Sequence, residues 1–433
     1  MSTSAATSFR GGLLAVLTAL AVTCSTALTG CGSTSAPPAE TRLSVWSWRV
    51  EDQSAYREIF AEYERTHPGV RIDFRTFRNT EYLARARQAL ARDGGPDIVQ
   101  MKSYGQLQEF VDAGRLVALD SQIGELNEVA PEIAAGVRGD RDGRLYGVPY
   151  SVVTLQVFYN KKIFTENRIQ PPTTWAELIA VSERLKQRGI TPFSVSGKEP
   201  WTLPILHEIF GATRYGGRDF GKAVLAGARN FADRDYAASL DVVRQLRGYF
   251  PARPTALSYV QAQELFLSGQ AAMFPGGSYE LAHFQRSAPD LPIGSFEAPP
   301  APGAKVEHPL TPWYVDGSYA LNAKSHASPA ALDLLRWMAT PEFGQRFSDQ
   351  LKQLSPIHDV HPSDALVQRM WNNYVSNGTP YLMLVHFRNR APTGTELTGS
   401  ALQGLLAGEL TATQAAARIH QGITTWFRPP DRR

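Results

Sequence analysis

The chain has 433 residues, of which 43% are hydrophobic, and its 44 basic and 41 acidic residues leave a formal net charge of +3. This length exceeds what one hydrophobic core usually supports, which predicts two domains. The charge is nearly balanced and no run of Lys and Arg stands out, so we expect no nucleic acid partner.

Residues 1–30 have the pattern of a secretory signal peptide. Arg10 precedes an apolar stretch over residues 13–28, which Thr and Ser interrupt and which is short for the roughly 20 residues that a bilayer requires. The stretch ends in Leu-Thr-Gly-Cys, which resembles the bacterial lipobox, in which the Cys is acylated. We therefore expect export and a lipid anchor at Cys31, on the outer face of the cytoplasmic membrane, the extracellular or periplasmic side.

The remaining cysteine, Cys24, lies inside the signal peptide, so the mature chain is expected to have no disulfide. Residues 31–42 are rich in Ser, Pro and Ala, a composition typical of a flexible tether.

Three strand and helix units follow the tether. The segment LSVWS predicts a strand, and the next residues place Tyr56, Ile59, Phe60 and Tyr63 at helical spacing. A strand over 70–74, a helix over 80–92 and a short strand over 97–101 come next. Successive β-α units predict a parallel sheet with helices on both faces.

Ligands of such open sheets bind beyond the carboxyl ends of the strands. That rule selects polar and aromatic residues that directly follow the three strands, namely Trp48, Arg49, Glu51, Asn79 and Tyr104. Of these, Trp48 and Tyr104 are expected to be exposed.

Residues 143–193 mark the passage from one domain to the next. Pro149 ends an extended segment, residues 152–159 form a β-branched and aromatic run typical of a buried strand, and Thr174 with Glu177 makes a capping box. The order G-x-PY, a strand ending in YNK, and T-W-x-E-L resembles the family 1 extracellular solute-binding proteins of ABC importers, the group that includes maltose-binding protein. The earlier segment GGPDIVQM is similar to another element of that family.

The resemblance implies an α/β, two-lobed periplasmic-binding-protein-like fold of type II, with a three-segment hinge and a ligand cleft between the lobes. Strand and helix signals return at 315–345 after a Pro- and Gly-rich loop. We therefore expect one lobe from residues 43–150 plus 317–360 and another from 151–316 plus 361–433. The hinge is expected near residues 150–154, 312–317 and 358–371.

The segment GQAAMFPGGSY resembles a family element in which glycines and an aromatic residue follow a strand. Two glycines let the backbone approach a ligand closely, and a helix beginning near Ser278 would offer N–H groups. By resemblance, Glu199 and Trp201 are placed at the ligand. The further site residues that we predict are Tyr150, Gly277, Ser278, Tyr279, Trp313, Asp316 and Arg388.

The sequence contains no metal-binding, nucleophile-elbow or phosphate-loop motif, so we expect no catalytic residue, no metal and no cofactor. Aromatic residues beside strand ends suit sugars, whose apolar faces stack on rings while Asp, Glu, Asn and Arg bind their hydroxyls. We expect a monomeric sugar-binding lipoprotein that delivers its ligand to the transmembrane subunits of an ABC permease. A lipid-anchored glycoside hydrolase and a receptor for a charged small solute are the alternatives.

Overall fold

The fold is described from a computed structural model of the protein, for residues 40–429. The predicted signal peptide, the lipidation site at Cys31 and most of the predicted tether lie outside the described residues. The first strand begins at Thr41, near the end of that tether.

The strands of the described chain form two separate sheets. In chain order they are β1 (Thr41–Ser47), β2 (Val70–Thr76), β3 (Ile98–Lys102), β4 (Val148–Pro149), β5 (Val152–Asn160), β6 (Thr191–Phe193), β7 (Ala271–Gly277), β8 (Ile293–Phe296), β9 (Thr311–Val315), β10 (Gly317–Leu321) and β11 (Gly378–Pro380).

Helices connect these strands. They are α1 (Gln53–Thr66), α2 (Asn79–Leu90), α3 (Gly105–Asp112), α4 (Pro131–Ala134), α5 (Lys161–Glu166), α6 (Trp175–Gln187), α7 (Thr202–Tyr215), α8 (Gly217–Leu225), α9 (Arg234–Gln245), α10 (Tyr259–Leu267), α11 (Glu280–Ser287), α12 (Ser328–Met338), α13 (Pro341–Leu351), α14 (Ala365–Asn377), α15 (Leu382–His386), α16 (Gly394–Ala407) and α17 (Ala412–Thr424).

The first sheet has the strand order β2-β1-β3-β10-β4. Strand β1 pairs in parallel with β2 and β3, which confirms the three predicted β-α units. Strand β10 runs antiparallel to both β3 and β4, so the sheet is mixed rather than parallel throughout. The chain reaches β10 directly from β9 of the other sheet, and an antiparallel neighbour needs no crossover helix.

The second sheet has the order β11-β9-β5-β7-β6, with β8 also paired to β5. Every residue of β5 is buried, as the sequence predicted for its β-branched and aromatic run. A strand covered on both faces carries apolar residues continuously instead of alternating them with polar ones.

Each sheet has its own hydrophobic core. The first core combines β1 and β3 with α12 and α13, whereas the second gathers β5 and β7 with α7, α9, α16 and α17. The chain passes from one lobe to the other three times. Two of the passages lie between β4 and β5 and between β9 and β10. The third lies between Ser363, whose N–H donates to Asp349 of α13, and Val367, which belongs to the second core. This is the two-lobed α/β fold that the sequence predicted.

Several helices begin where the sequence places a cap. Thr174 accepts the N–H of Glu177 at the start of α6, as predicted, and Thr411 accepts that of Gln414 at the start of α17 in the same local pattern. Helix α11 begins later than expected, at Glu280 instead of near Ser278. Within residues 40–429, no helix has the length and apolar character needed to cross a membrane.

Candidate functional site

Charged and aromatic side chains from both lobes converge where strands of the two sheets end. Arg49 and Trp48 follow β1, Lys102 ends β3, and Asp316 lies between β9 and β10. We call the set the cleft cluster. Its members are Trp48, Arg49, Lys102, Tyr150, Tyr279, Glu280, Tyr314, Asp316 and Arg388.

Strand register brings Lys102 and Asp316 together. Strand β10 pairs with β3 so that Gly317 lies opposite Lys102, and Asp316 directly precedes that pair. Position 317 has no room for a side chain, because a Cβ there would lie 2.6 Å from the Trp48 ring and 2.4 Å from the Met101 carbonyl oxygen. The glycine therefore lets the indole pack against the strand next to the two charged groups.

Arg49 links the two lobes. Its Nε donates to Asp52 Oδ2 at 2.8 Å, and its guanidinium carbon lies 5.3 Å from the centroid of the Tyr279 ring. Burial alone would lower the pKa of Arg49, but Asp52 and Glu51 raise it well above its ordinary value. Arg49 is therefore a permanent cation, neutralised by Asp52 and placed over an aromatic face.

Asp316 occupies the centre of the cluster. Tyr150 Oη donates to its Oδ2 at 3.1 Å. Burial raises the pKa of Asp316, and Arg49, Lys102 and Arg388 oppose this shift through their positive charges. The arrangement gives one hydrogen-bonded carboxylate that faces several cations.

Lys102 lies beside a ring and a neutral oxygen. Its Nζ is 5.4 Å from the Trp48 ring centroid and donates to Asn79 Oδ1. Burial, together with the charge of Arg388, lowers the pKa of Lys102 to about 7. Burial likewise lowers the pKa of Arg388.

Glu280 supplies a second carboxyl group from the other lobe. It accepts hydrogen bonds from Tyr259 Oη at 2.6 Å and from Gln263 Nε2 at 2.8 Å. Burial raises its pKa to about 7. A small cavity of about 20 Å³ opens beside it, lined in part by Trp201, Tyr259 and Tyr279.

The structure brings together part of the predicted site. Trp48, Arg49, Tyr150, Tyr279, Asp316 and Arg388 belong to the cleft cluster. Trp48 and Tyr104 are expected to be exposed, but they are only 5% and 7% exposed. Trp48 packs against Tyr82 and Tyr150 of its own lobe, and Tyr104 is part of the second core.

Other predicted residues make contacts within the fold. Glu199 accepts the N–H of Tyr259 at the start of α10, and Trp201 packs its ring edge to face with Tyr259, 4.7 Å away. Ser278 is fully buried, and its N–H, expected to be available to a ligand, donates instead to the Thr154 carbonyl because β7 and β5 are neighbours. Gly277 pairs with Leu155 in the same ladder.

Three further predicted residues lie outside the cleft cluster. Glu51 is exposed, and its carbonyl accepts from Arg286, while Asn79 is exposed and binds Lys102. Trp313 packs its ring against Tyr374 at 5.2 Å, away from the cluster. Successive side chains of a strand point to opposite faces, so Tyr314, and not Trp313, points toward Asp316.

Tyr104 joins the first lobe to the hinge. Its Oη accepts the N–H of Val315 at 3.0 Å, and its φ of 60° lies in the left-handed region that non-glycine residues rarely adopt. Such strain is typical of functional sites. Together with Trp313, Tyr104 also lines a separate cavity of about 270 Å³.

Sequence reasoning missed Lys102, Tyr259, Glu280 and Tyr314. The positions of the two charged residues in the sequence could have indicated them. Lys102 is the last residue of β3, and Glu280 directly follows Tyr279. In residues 40–429 there is no cluster of three or more His, Cys, Asp and Glu side chains that could hold a metal ion.

Comparisons with known proteins agree with this architecture. Residues 47–345 match the family model described as bacterial extracellular solute-binding protein. The multiple sugar-binding protein of Streptococcus mutans is 23% identical over 315 residues, which cover 71% of this chain and 73% of that protein.

Solved structures show the same fold. The bacterial solute receptor AcbH superposes with a TM-score of 0.77 at 16% identity, covering 90% of this chain and 100% of AcbH. A structure from work on xylan utilization by Caldanaerobius polysaccharolyticus has a TM-score of 0.75 at 23% identity, covering 88% of this chain and 99% of that one. This chain belongs to the bacterial extracellular solute-binding protein family.

Proposed function

We propose that this protein captures a carbohydrate between its lobes and delivers it to the transmembrane subunits of an ABC importer. The carrying observation is the cleft cluster, in which rings and hydrogen-bonding charged groups converge from strand ends of both sheets. Pyranose faces stack on rings such as Trp48, Tyr279 and Tyr314, and sugar hydroxyls bind carboxylates and guanidinium groups.

The names of related proteins support a sugar ligand. One relative is called a multiple sugar-binding protein and another, from Pyrococcus abyssi, a maltotriose-binding protein, while a structural neighbour was solved in complex with raffinose. We propose that this chain acts by binding alone, as a monomer, through closure of the lobes about the hinge.

Thermal-shift screening across mono- and oligosaccharides tests the proposal, because a ligand that binds only the folded state raises the melting temperature with concentration. We expect at least one sugar to do so, and we expect Tyr279→Ala to weaken that effect. Stabilisation by amino acids or polyamines alone would support the charged-solute receptor, and release of shorter sugars by the pure protein would support the hydrolase.

Family membership implies that the protein is exported, and we propose that an acylated Cys31 then anchors it to the outer face of the membrane. One acyl chain anchors only marginally, so stable retention requires the multiply acylated N-terminus of lipoproteins. Replacing Cys31 by Ser is expected to move the protein from the membrane fraction to the soluble exported fraction. Retention of the Cys31→Ser variant in membranes would contradict the anchor.

A further inference from the structure

The charges of the cleft cluster do not balance. Arg49, Lys102 and Arg388 are basic, and they face Asp316 and the more distant Glu280. Glu280 accepts hydrogen bonds from Tyr259 and Gln263 in its own lobe. Asp316 is therefore the carboxylate that Lys102 and Arg388 share where the two lobes meet.

Arg49 has a carboxylate partner of its own, so the unmatched cations are Lys102 and Arg388. Asp52 binds the Arg49 guanidinium at 2.8 Å. Lys102 donates to the neutral oxygen of Asn79, and no ion pair joins Lys102 or Arg388 to a carboxylate within residues 40–429.

The backbone holds Lys102 and Arg388 near each other in spite of their repulsion. Lys102 is fixed opposite Gly317 in the β3–β10 ladder. Arg388 follows α15, and its backbone packs on Gly105, where a Cβ would lie 2.4 Å from the Arg388 carbonyl oxygen. Burial and the charge of Arg388 lower the pKa of Lys102, and burial lowers the pKa of Arg388, as expected for cations without an ion-pair partner of their own.

Other charged groups around the pair are occupied. Asp316 receives the Tyr150 hydroxyl and faces Arg49 as well as the pair. Glu396 of α16 lies near Arg388, but its Oε2 caps its own helix by accepting the N–H of Thr393 at 2.8 Å. One carboxylate, Asp316, therefore serves several cations.

We infer that the ligand is a carbohydrate bearing an acidic group, a uronic acid carboxylate or an ester phosphate or sulfate, and that this group binds between Lys102 and Arg388. The inference rests on the proposed function and narrows its substrate class. An anion would supply the missing negative charge, and oxygens of a carboxylate or phosphate match the donors of a guanidinium. Trp48 and Tyr314 then contact the sugar ring, and Asp316 accepts a hydroxyl.

Matched acidic and neutral sugars test this inference by calorimetry. The pairs are digalacturonate with galactobiose, glucuronosyl xylotriose with xylotriose, and maltose phosphate with maltose. We expect an acidic member to bind at least about thirtyfold more tightly than its neutral partner, as for a buried charge pair. The carboxylate and phosphate arms distinguish the two sources of negative charge.

Variants test whether the preference for the acidic sugar depends on Lys102 and Arg388. Arg388→Gln and Lys102→Met should each remove most of the preference for the acidic sugar. Arg390→Gln is the matched control, because Arg390 is exposed two residues further along the chain, and it should leave the preference intact.

A neutral sugar that binds as tightly as its acidic partner would overturn the inference and leave the proposed function standing. Failure of every sugar to bind would count against the proposed function. In that case the melting temperatures of the ligand-free variants test the inference. Removing a half-buried cation that has no carboxylate partner should raise the melting temperature in Arg388→Gln or Lys102→Met, and a lower melting temperature in both variants would overturn the inference.

Discussion

Tyr279 is the aromatic residue through which the second lobe meets Arg49 of the first. Replacing it by Ala removes a buried ring from the centre of the cleft, where such anchors typically contribute about 2 kcal/mol. We therefore expect sugar affinity to fall roughly thirtyfold in Tyr279→Ala and much less in Tyr279→Phe, measured by calorimetric titration. Trp313→Phe is the control, since Trp313 packs on Tyr374. Equal affinities in Tyr279→Ala and the wild type would place the ligand elsewhere.

Helix α7 shows how burial of a whole element changes the chemistry of its residues. Almost all of its side chains are buried, and among them is Glu208, which accepts from Tyr215 Oη at 2.7 Å. Burial raises the pKa of Glu208 to about 8. A carboxyl group with a folded-state pKa above its unfolded value keeps its full stabilising effect below the unfolded pKa, and loses it as pH rises through the folded pKa.

Glu208→Gln should therefore change how stability depends on pH. Between the usual pKa near 4.5 and about 8, we expect the wild type to lose free energy of unfolding relative to Glu208→Gln, by at most about 1.4 kcal/mol per pH unit. Urea unfolding of both proteins at pH 5, 6.5 and 8 measures this difference. His207, whose pKa burial lowers to about 3, is present in both proteins and cancels in the comparison. If the free energies of unfolding of the two proteins changed with pH in the same way, the pKa of Glu208 would not be raised in the folded state.

Closure of the whole molecule depends on a close backbone approach between the lobes. A Cβ on Gly105 would lie 2.3 Å from the Asn389 Cα, and neither backbone can yield without moving its lobe. We expect Gly105→Ala to weaken sugar binding about tenfold or more, because overpacking typically costs about 1–3 kcal/mol. The melting temperature of the ligand-free protein should change little if that protein is open.

The matched control for closure is Gly124→Ala. Among residues 40–429, apart from the atoms of Gly124 and its two chain neighbours, no atom lies within 4 Å of the position that a Cβ on Gly124 would take, so the substitution should leave binding unchanged. Calorimetric titration of both variants with one sugar makes the comparison. Wild-type affinity in Gly105→Ala would mean that this contact plays no part in the bound state.

Much of the fold followed from signals between residues close in sequence. Thr174 with Glu177 and Thr411 with Gln414 act over one helical turn, and the apolar run of β5 reports burial on both faces of one strand. Such patterns do not depend on the rest of the chain, so the sequence alone was sufficient for them and for the resemblance to a solute-binding family.

Which residues form the site was decided by the tertiary structure. Asp316 and Tyr150 are 166 residues apart in sequence and meet only through strand pairing. Trp313 and Tyr314 are equally plausible in sequence, and the orientation of β9 alone selects Tyr314. The altered pKa values of Lys102 and Glu280 likewise arise from burial between lobes. Local patterns follow from neighbouring residues, whereas burial and charge balance depend on groups that only the folded chain brings together.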